Sequence, residues 1–427
     1  MDPSGGEAAA AAPLVEKRGA GGGRSSGGAT WAQTLGNIVV SIVGTGVLGL
    51  PYAFRVAGWL SGSLGVAAAG LSTYYCMLLL VQCRDRLEEQ DSDESAHIHS
   101  YGDLGAKAFG TTGRYLTELL VLVSQAGGAI AYLVFIGQNL SSVFSTGTHN
   151  PISPSVFIFL LLLPLEIVLS VIRSLSSLSP FSAFADACNV LAMAIVIKED
   201  FQLFKSFFKT RKAFNGALGL PFASGVAVFC FEGFSLTLPL EASMSERGKF
   251  QWVLSCAFFG ITLAYICFGI FGYLAYGDET KDIITLNLPH NWSTAAVKIG
   301  LCIALAFTFP IMMHPIHDIM EGKLKSSGWF QKICYNVQSA ELFGLLGVRM
   351  LMVAVMATLA SYIPGFGAFI SLVGSTVCAL LSFVLPALFH LTLMGSHLKP
   401  WQRILDYGVL VIGLVFASYG TYDSLFD

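Results

Sequence analysis

The sequence predicts an all-α polytopic membrane protein with about eleven transmembrane helices. Of its 427 residues, 54% are hydrophobic and 12% are charged, and the mean hydropathy is +0.67, whereas roughly a quarter of the residues in a soluble domain are charged. Three long runs, 57–83, 250–277 and 350–389, contain no Asp, Glu, Lys or Arg. An α-helix needs about 20 apolar residues to cross the hydrocarbon core, so the first two runs predict one span each and the third predicts two.

Hydropathy places the helices in order along the chain. We expect spans near residues 35–58, 61–83, 114–144, 152–172, 178–199, 219–243, 250–277, 294–318, 345–363, 364–388 and 404–423. Residues 1–33 are rich in Gly and Ala, and this low complexity predicts a disordered tail. Within the polar loop after the second span, residues 100–110 predict a short amphipathic element.

The distribution of charge predicts the orientation of these spans. Lys and Arg are more frequent in the segments on the side of the N-terminus, which predicts a cytosolic N-terminus. The sequons that begin at Asn139 and Asn291 fall on the opposite side in this topology. The net charge is −3 and no basic patch occurs, so nothing predicts a nucleic-acid partner. The nine cysteines form no CxxC pair, and we expect them to serve as small apolar residues.

The first span is interrupted by Gly44, Gly46, Gly49 and Pro51, which predict a break in the helix. A broken helix in a membrane leaves backbone groups unpaired, and this is tolerated only inside protein or beside a cavity. Two interpretations follow: the glycines allow close helix packing, or the free N–H groups and the following half-helix bind an anionic group. The spacing GxGxxG does not predict a nucleotide site, because that motif requires a preceding β-strand.

The sixth span repeats this pattern. Residues 232–239, EGFSLTLP, match residues 44–51, GTGVLGLP, in starting at an expected break and ending on Leu-Pro. Because the first and sixth spans are five positions apart in the order of spans, an odd number, the two segments cross the membrane in opposite senses, as an inverted repeat requires. We therefore expect a first repeat over 34–200, a second over 219–391, and an additional helix within 402–427.

Several longer runs extend the comparison to nearly the whole chain after residue 30. They resemble the amino acid/auxin permease family of secondary transporters, and within it the plant vacuolar carriers of aromatic and neutral amino acids. The runs are residues 36–59, SYGDLG (100–105), SQAGGAIAYLVFIG (124–137), GVAVFCFEG (225–233), FGYLAYGDETKDIITLNL (271–288) and SLVGSTVCALLSFVLPALFHL (371–391). The Gly-Ala-Gly usual at the first break in the family is Gly44-Thr45-Gly46 in this chain.

The resemblance implies a fold and an activity. The fold is a leucine-transporter-type 5+5 inverted repeat plus one extra helix, and the activity is proton-coupled symport of neutral amino acids, aromatic ones included, by alternating access. It implies a monomer that binds an amino acid in the bilayer without a cofactor, with sodium as the alternative coupling ion. The vacuolar membrane is favoured over the plasma membrane. A non-transporting amino acid sensor is the alternative function, and no set of residues predicts an enzyme.

The two breaks and the third span contribute the candidate substrate site. Amides at the first break are expected to hold the substrate carboxylate, and Glu232 to meet its ammonium group. Ordinary helix packing is the alternative for the residues of the third span and for Phe231. The expected substrate-binding residues are Gly44, Thr45, Gly46, Gly49, Gln125, Tyr132, Phe231, Glu232, Gly233 and Ser235.

Two acidic residues within spans are candidates for proton coupling. Glu232 and Asp186 lie where an ionised carboxylate is costly unless it is paired or faces water. The alternatives are that Glu232 staples the helix break and that Asp186 is a structural hydrogen-bonding hub. Thr308 is a candidate ligand for sodium.

Histidines near the ends of spans have simpler interpretations. His314, His317 and Asp318 have a helical spacing that a metal site could use, but a solvated cluster is the favoured interpretation and no metal is expected. His390 is expected at the membrane interface.

Overall fold

The computed structural model describes residues 28–90, 98, 100–144, 152–171, 184, 187–198, 211–289, 291–328, 330–331 and 338–426. Nearly all of these residues are helical, which confirms the predicted all-α class. The helices are α1 (Trp31–Ile42), α2 (Leu50–Ala57), α3 (Trp59–Gln90), α4 (Tyr101–Phe144), α5 (Pro154–Ser170), α6 (Ala187–Lys198), α7 (Gly219–Cys230), α8 (Phe234–Ala242), α9 (Phe250–Tyr276), α10 (Trp292–Ser326), α11 (Gln338–Tyr362), α12 (Phe366–Met394) and α13 (Pro400–Phe426).

The described helices confirm a polytopic membrane protein. Eight of them, with α7 and α8 taken together, are long and apolar enough to cross a bilayer, and the bent pair formed by α1 and Thr45–Ala57 adds a ninth. Helices α5 and α6 are apolar but shorter. The amphipathic element expected at 100–110 is the first part of α4, and a kink at Phe109 and Gly110 separates it from the predicted third span. The count of eleven spans and the inverted repeat stay predictions.

The chain divides into two compact units that do not follow the predicted halves. The first unit contains the chain up to Ser124, Ile197–Ile284 and the chain from Gly367 onward. The second contains Gln125–Val196 and Thr285–Phe366. Each unit therefore takes helices from both halves of the sequence.

Glycines bring α7 and α12 together in the first unit. A Cβ atom on Gly374 would lie 1.9 Å from the carbonyl oxygen of Gly225, so the two backbones meet where neither residue has a side chain. One turn away, the Ser371 hydroxyl donates a hydrogen bond to the Phe222 carbonyl at 3.1 Å. This contact holds the helix that leads into the second break.

Two of the buried polar side chains in the second unit have partners within it. Asn139 is fully buried on α4, where its amide donates to the Phe135 carbonyl at 3.0 Å and its oxygen accepts from the Thr285 hydroxyl at 2.7 Å. Its side chain is thus committed to the interior, so this sequon lends no support to the predicted orientation. In the same unit, Arg349 pairs with Glu321 and donates to the Ser170 carbonyl at 2.9 Å.

The first described residues contact the end of α8. The Ala29 amide donates to the Ser243 carbonyl at 2.8 Å, and the Ser245 amide returns a bond to the Ala29 carbonyl at 3.0 Å. Thr30 then caps α1 through a reciprocal pair of bonds with Gln33. Residues 28–33, which the sequence analysis assigned to a disordered tail, thus dock against the end of α8 and start the first helix.

A buried ion pair lies close to this docking point. Arg84 on α3 is 1% exposed and pairs with Glu241 on α8, while Asp85, at 2.9 Å, and Glu88 also contact its guanidinium. Removal of one partner of a buried pair leaves a charge without compensation, which costs more than the loss of a surface pair.

We expect Glu241→Ala to lower the free energy of unfolding by on the order of 3 kcal/mol, because Arg84 stays buried and loses its buried partner. Thermal unfolding of the detergent-purified protein measures this change. The control is Glu246→Ala, which removes an exposed pair with Lys249 and should cost no more than about 1 kcal/mol. Equal stability of the two variants would show that the buried pair contributes no more to the free energy of unfolding than the exposed pair does.

Candidate substrate site at two helix breaks

The first break lies between Ile42 and Thr45. Helix α1 ends at Ile42, Gly44 is extended, and a tight turn over Thr45–Gly49 leads into α2. The two arms of this span are bent by 49°. Pro51 sits in the first turn of α2, where a missing N–H costs nothing and the fixed φ angle favours a helix start.

The second break lies at Phe231, Glu232 and Gly233. Helix α7 ends at Cys230 and α8 begins at Phe234, with the backbone of Gly233 at φ 172° and ψ 14°. No side chain caps the start of α8, so the positive end of its helix dipole is open at the break. The interruptions expected from the sequence are therefore present in both spans.

A single tyrosine joins the two breaks. The hydroxyl of Tyr265, on α9, lies 3.2 Å from the Ile42 carbonyl oxygen and 3.1 Å from the Cys230 carbonyl oxygen. These are the last residues of α1 and α7, whose carbonyls have lost their partners in the next helical turn, and the Ile42 carbonyl also accepts from the Gly44 amide at 2.9 Å. Tyr265 is 1% exposed, so its one hydroxyl proton is shared between two acceptors away from water.

The glycines at the first break have different surroundings. A Cβ atom on Gly46 would lie 3.0 Å from the Phe229 ring and 3.1 Å from the Cys230 sulfur, so Gly46 packs against the second broken span. At Gly44 no heavy atom lies within 4 Å of the position a Cβ would take. Thr45, Gly46 and Gly49 are buried. The open space at this break is thus at Gly44.

The carboxylate of Glu232 is half-buried at the second break. The hydroxyl of Ser124 on α4 lies beside it and 3.8 Å from the Cys378 sulfur. Glu232 is the one charged residue in the segments 43–49 and 231–235. Gly233 lies close to Ile42, with 3.2 Å between a Cβ built on Gly233 and the Ile42 side chain. Glu232 and Gly44 are therefore each next to a contact between the two breaks.

Of the remaining predicted site residues, two lie in the first unit and two in the second. Phe231 is fully buried and packs on Tyr265 and Phe258, with ring centroids 5.1 and 5.9 Å away, so its ring belongs to the helix packing of the first unit. Ser235 is half-buried in the first turn of α8. Gln125 and Tyr132 are half-buried residues of the second unit. Their role in binding stays a prediction.

The structure describes only some of the residues proposed for ion coupling. Asp186 lies outside the described residues, so its role stays a prediction. The Thr308 hydroxyl donates to the Ala304 carbonyl of its own helix at 2.9 Å. No metal-binding group of three or more His, Cys, Asp or Glu occurs within the described part of the chain. His314 and Asp318 form a partly exposed pair, whereas His317 is buried, contrary to the expected solvated cluster.

Sequence reasoning missed Tyr265 and Ser124. Each lies in an apolar span, at a position where a tyrosine or serine is compatible with ordinary packing, and although Ser124 begins the run 124–137, nothing in that run singles out its hydroxyl. Their roles follow from the meeting of three separate chain segments.

Broken spans within a polytopic all-α membrane fold define a transporter-type protein, and comparison with known proteins identifies the family. The family profile described as transmembrane amino acid transporter protein matches residues 27–426, so the chain belongs to that family. The prediction that it is not an enzyme is thereby confirmed, because this is a family of transporters.

The relatives support the same assignment. Amino acid transporter ANT1 of Arabidopsis thaliana is 56% identical over 92% of this chain and 91% of that protein. Amino acid transporter AVT3B of the same plant is 38% identical over 92% of each chain. Vacuolar amino acid transporter 4 of Saccharomyces cerevisiae is 26% identical over 91% of this chain and 57% of its own length.

A solved structure shows the same fold. The structure of MhsT in complex with L-phenylalanine matches with a TM-score of 0.52 and 13% identity, covering 94% of this chain and all of that one. At this identity the match supports the fold alone, and it agrees with the expected leucine-transporter-type class.

We expect Tyr265→Phe to lower the free energy of unfolding by about 1–3 kcal/mol, because two buried carbonyl oxygens lose their shared donor while the ring packing is kept. Thermal unfolding in detergent measures the loss. Tyr115→Phe, at a 70% exposed residue, is the control and should be neutral. Unchanged stability of the Tyr265 variant would show that the hydroxyl does not hold the breaks together.

Proposed function

We propose that the protein moves neutral amino acids, aromatic ones included, across a membrane by alternating access, coupled to protons. The observation that carries the proposal is the pair of helix breaks joined at Tyr265, with open space at Gly44 and a half-buried carboxylate at Glu232. Family membership supports amino acid transport, and these features suggest how the substrate is held.

A zwitterion suits the charges at the breaks. Backbone N–H groups at the first break and at the open start of α8 favour a carboxylate. Glu232 and the helix-end carbonyls favour an ammonium group. Glu232 is the only charged side chain in the two segments, and it is assigned to the ammonium group. No other charged residue in these segments is left to pair with a charged substrate side chain, which supports neutral amino acids as substrates. Aromatic substrates agree with the L-phenylalanine named for the structural neighbour.

Glu232 is also the proposed proton carrier. An ionised carboxylate inside a membrane span is costly without a compensating charge. A proton or the substrate ammonium group supplies that charge, which links proton binding to substrate binding. The vacuolar names among the yeast relatives support residence in the vacuolar membrane. A cytosolic N-terminus and a monomer remain part of the proposal.

Uptake into proteoliposomes tests the coupling. We expect an imposed pH gradient, but not a sodium gradient, to drive L-phenylalanine uptake, with other neutral amino acids competing. Uptake driven by sodium alone would overturn proton coupling. Binding without either uptake or counterflow would favour the non-transporting sensor.

We expect Glu232→Gln to reduce uptake driven by a pH gradient at least about tenfold, the equivalent of about 1.4 kcal/mol, because glutamine cannot carry the proton. Counterflow at equal pH should persist at saturating substrate, because the helix-end carbonyls still accept from the ammonium group although its affinity falls. The control is Glu246→Gln, at an exposed residue, which should behave as the unmodified protein. Unchanged pH-driven uptake in the Glu232 variant would exclude Glu232 as the carrier.

We expect Gly44→Ala to weaken substrate affinity about tenfold without loss of stability, because the added methyl group enters open space that the substrate needs. The matched variant is Gly46→Ala, whose methyl group meets the Phe229 ring and should instead lower the free energy of unfolding by about 1 kcal/mol or more. Competition binding and thermal unfolding separate the two effects. Full affinity in the Gly44 variant would place the substrate elsewhere.

A further inference from the structure

Three helices of the first unit meet at a buried polar cluster away from the breaks. Asp406 on α13 accepts a hydrogen bond from the Tyr75 hydroxyl of α3 at 2.6 Å. Its other oxygen lies 2.7 Å from Nδ1 of His390 on α12. His390 is 1% exposed and Asp406 is fully buried. The side chain of His390 is thus covered by α13, and its expected depth at the membrane interface stays a prediction.

The second ring nitrogen of His390 has no assigned partner. Nε2 is buried and makes no hydrogen bond within the described part of the protein. Because Nδ1 faces a carboxylate, it carries a proton in either charge state of the ring. A further proton therefore binds at Nε2, and it changes the net charge of the His390–Asp406 pair from −1 to zero.

The groups around Asp406 explain why a proton on His390 would stabilise this cluster. The titratable groups that face Asp406 from α3 are Tyr75 and the thiols of Cys76 and Cys83, all neutral when protonated. None of these groups supplies a positive charge. A buried carboxylate in a membrane is costly without a cation, so within this cluster the imidazolium of His390 is the compensating charge.

We propose that the His390–Asp406 pair, held by Tyr75, is a proton-binding site that controls transport from outside the substrate site. When the proton is bound, a neutral ion pair fastens α13 to α12 and α3. As the pH rises and the proton leaves, an uncompensated carboxylate loosens that attachment. The predicted effect on transport rests on the proposed function, whereas proton binding itself does not.

Amino acid exchange at equal pH on both sides tests the control of transport, because no gradient drives it. We expect the exchange rate of the unmodified protein to fall at least about threefold when the pH is raised from 6 to 8. His390→Gln should keep a hydrogen bond to Asp406 but lose this pH dependence. A pH profile like that of the unmodified protein in this variant would overturn the proposal.

His314→Gln is the matched control. His314 also pairs with an aspartate, Asp318, at 2.8 Å, but the two side chains are 15% and 40% exposed. Its removal should leave the pH profile unchanged. Should His390→Gln fail to fold, Tyr75→Phe takes its place, because it keeps both titrating partners and removes one hydrogen bond to the carboxylate. An unshifted profile in that variant would count against the proposal.

Nuclear magnetic resonance of ¹⁵N-histidine-labelled protein measures proton binding without transport. We expect one histidine to keep its Nδ1 proton while the protonation of its Nε2 changes with pH, and Tyr75→Phe to shift the Nε2 resonance of that histidine. Absence of such a histidine would overturn the proposal. Titration without any amino acid exchange would uphold the proton site and count against the proposed transport function instead.

Discussion

The hydroxyl of Tyr265 holds the ends of two broken helices in a place that water does not reach. Each break frees backbone carbonyls, and in a membrane such groups must find partners within the protein. Tyr265 lies within 3.2 Å of the Ile42 and Cys230 carbonyl oxygens, the last of their helices. The contact of Gly46 with Phe229 and Cys230 completes the junction. The open space at Gly44 and the half-buried Glu232 lie beside this junction.

Two polar clusters elsewhere in the first unit hold together the helices around this junction. Arg84 and Glu241 tie α3 to the end of α8, and the cluster of Tyr75, His390 and Asp406 ties α3 to α12 and α13. These groups are buried, so each charge depends on its partner rather than on solvent. They attach helices that are distant in sequence to α3. Helix α3 is therefore the common support for both the break at α8 and the covering helix α13.

Several features of the site could be predicted from local sequence. Gly44, Gly46 and Pro51 interrupt an apolar run, and Glu232 stands alone in another, so both breaks were visible without a structure. The sequence did not show which of the glycines faces open space and which packs against another helix. Gly44 and Gly46 are two residues apart and chemically identical, yet one faces open space and the other packs on a ring. Only the position of a different span distinguishes them.

Asn139 and His390 show the same limit in the other direction. A sequon and a histidine near a helix end both suggest exposure, but Thr285 and Asp406, from distant segments, bury them in hydrogen bonds. By itself the sequence determined the membrane class, the helical spans and the places where they break, because these follow from local hydropathy and backbone chemistry. The tertiary structure decided which polar groups meet at Tyr265 and Asp406, because pairing of buried groups depends on contacts between segments far apart in the chain.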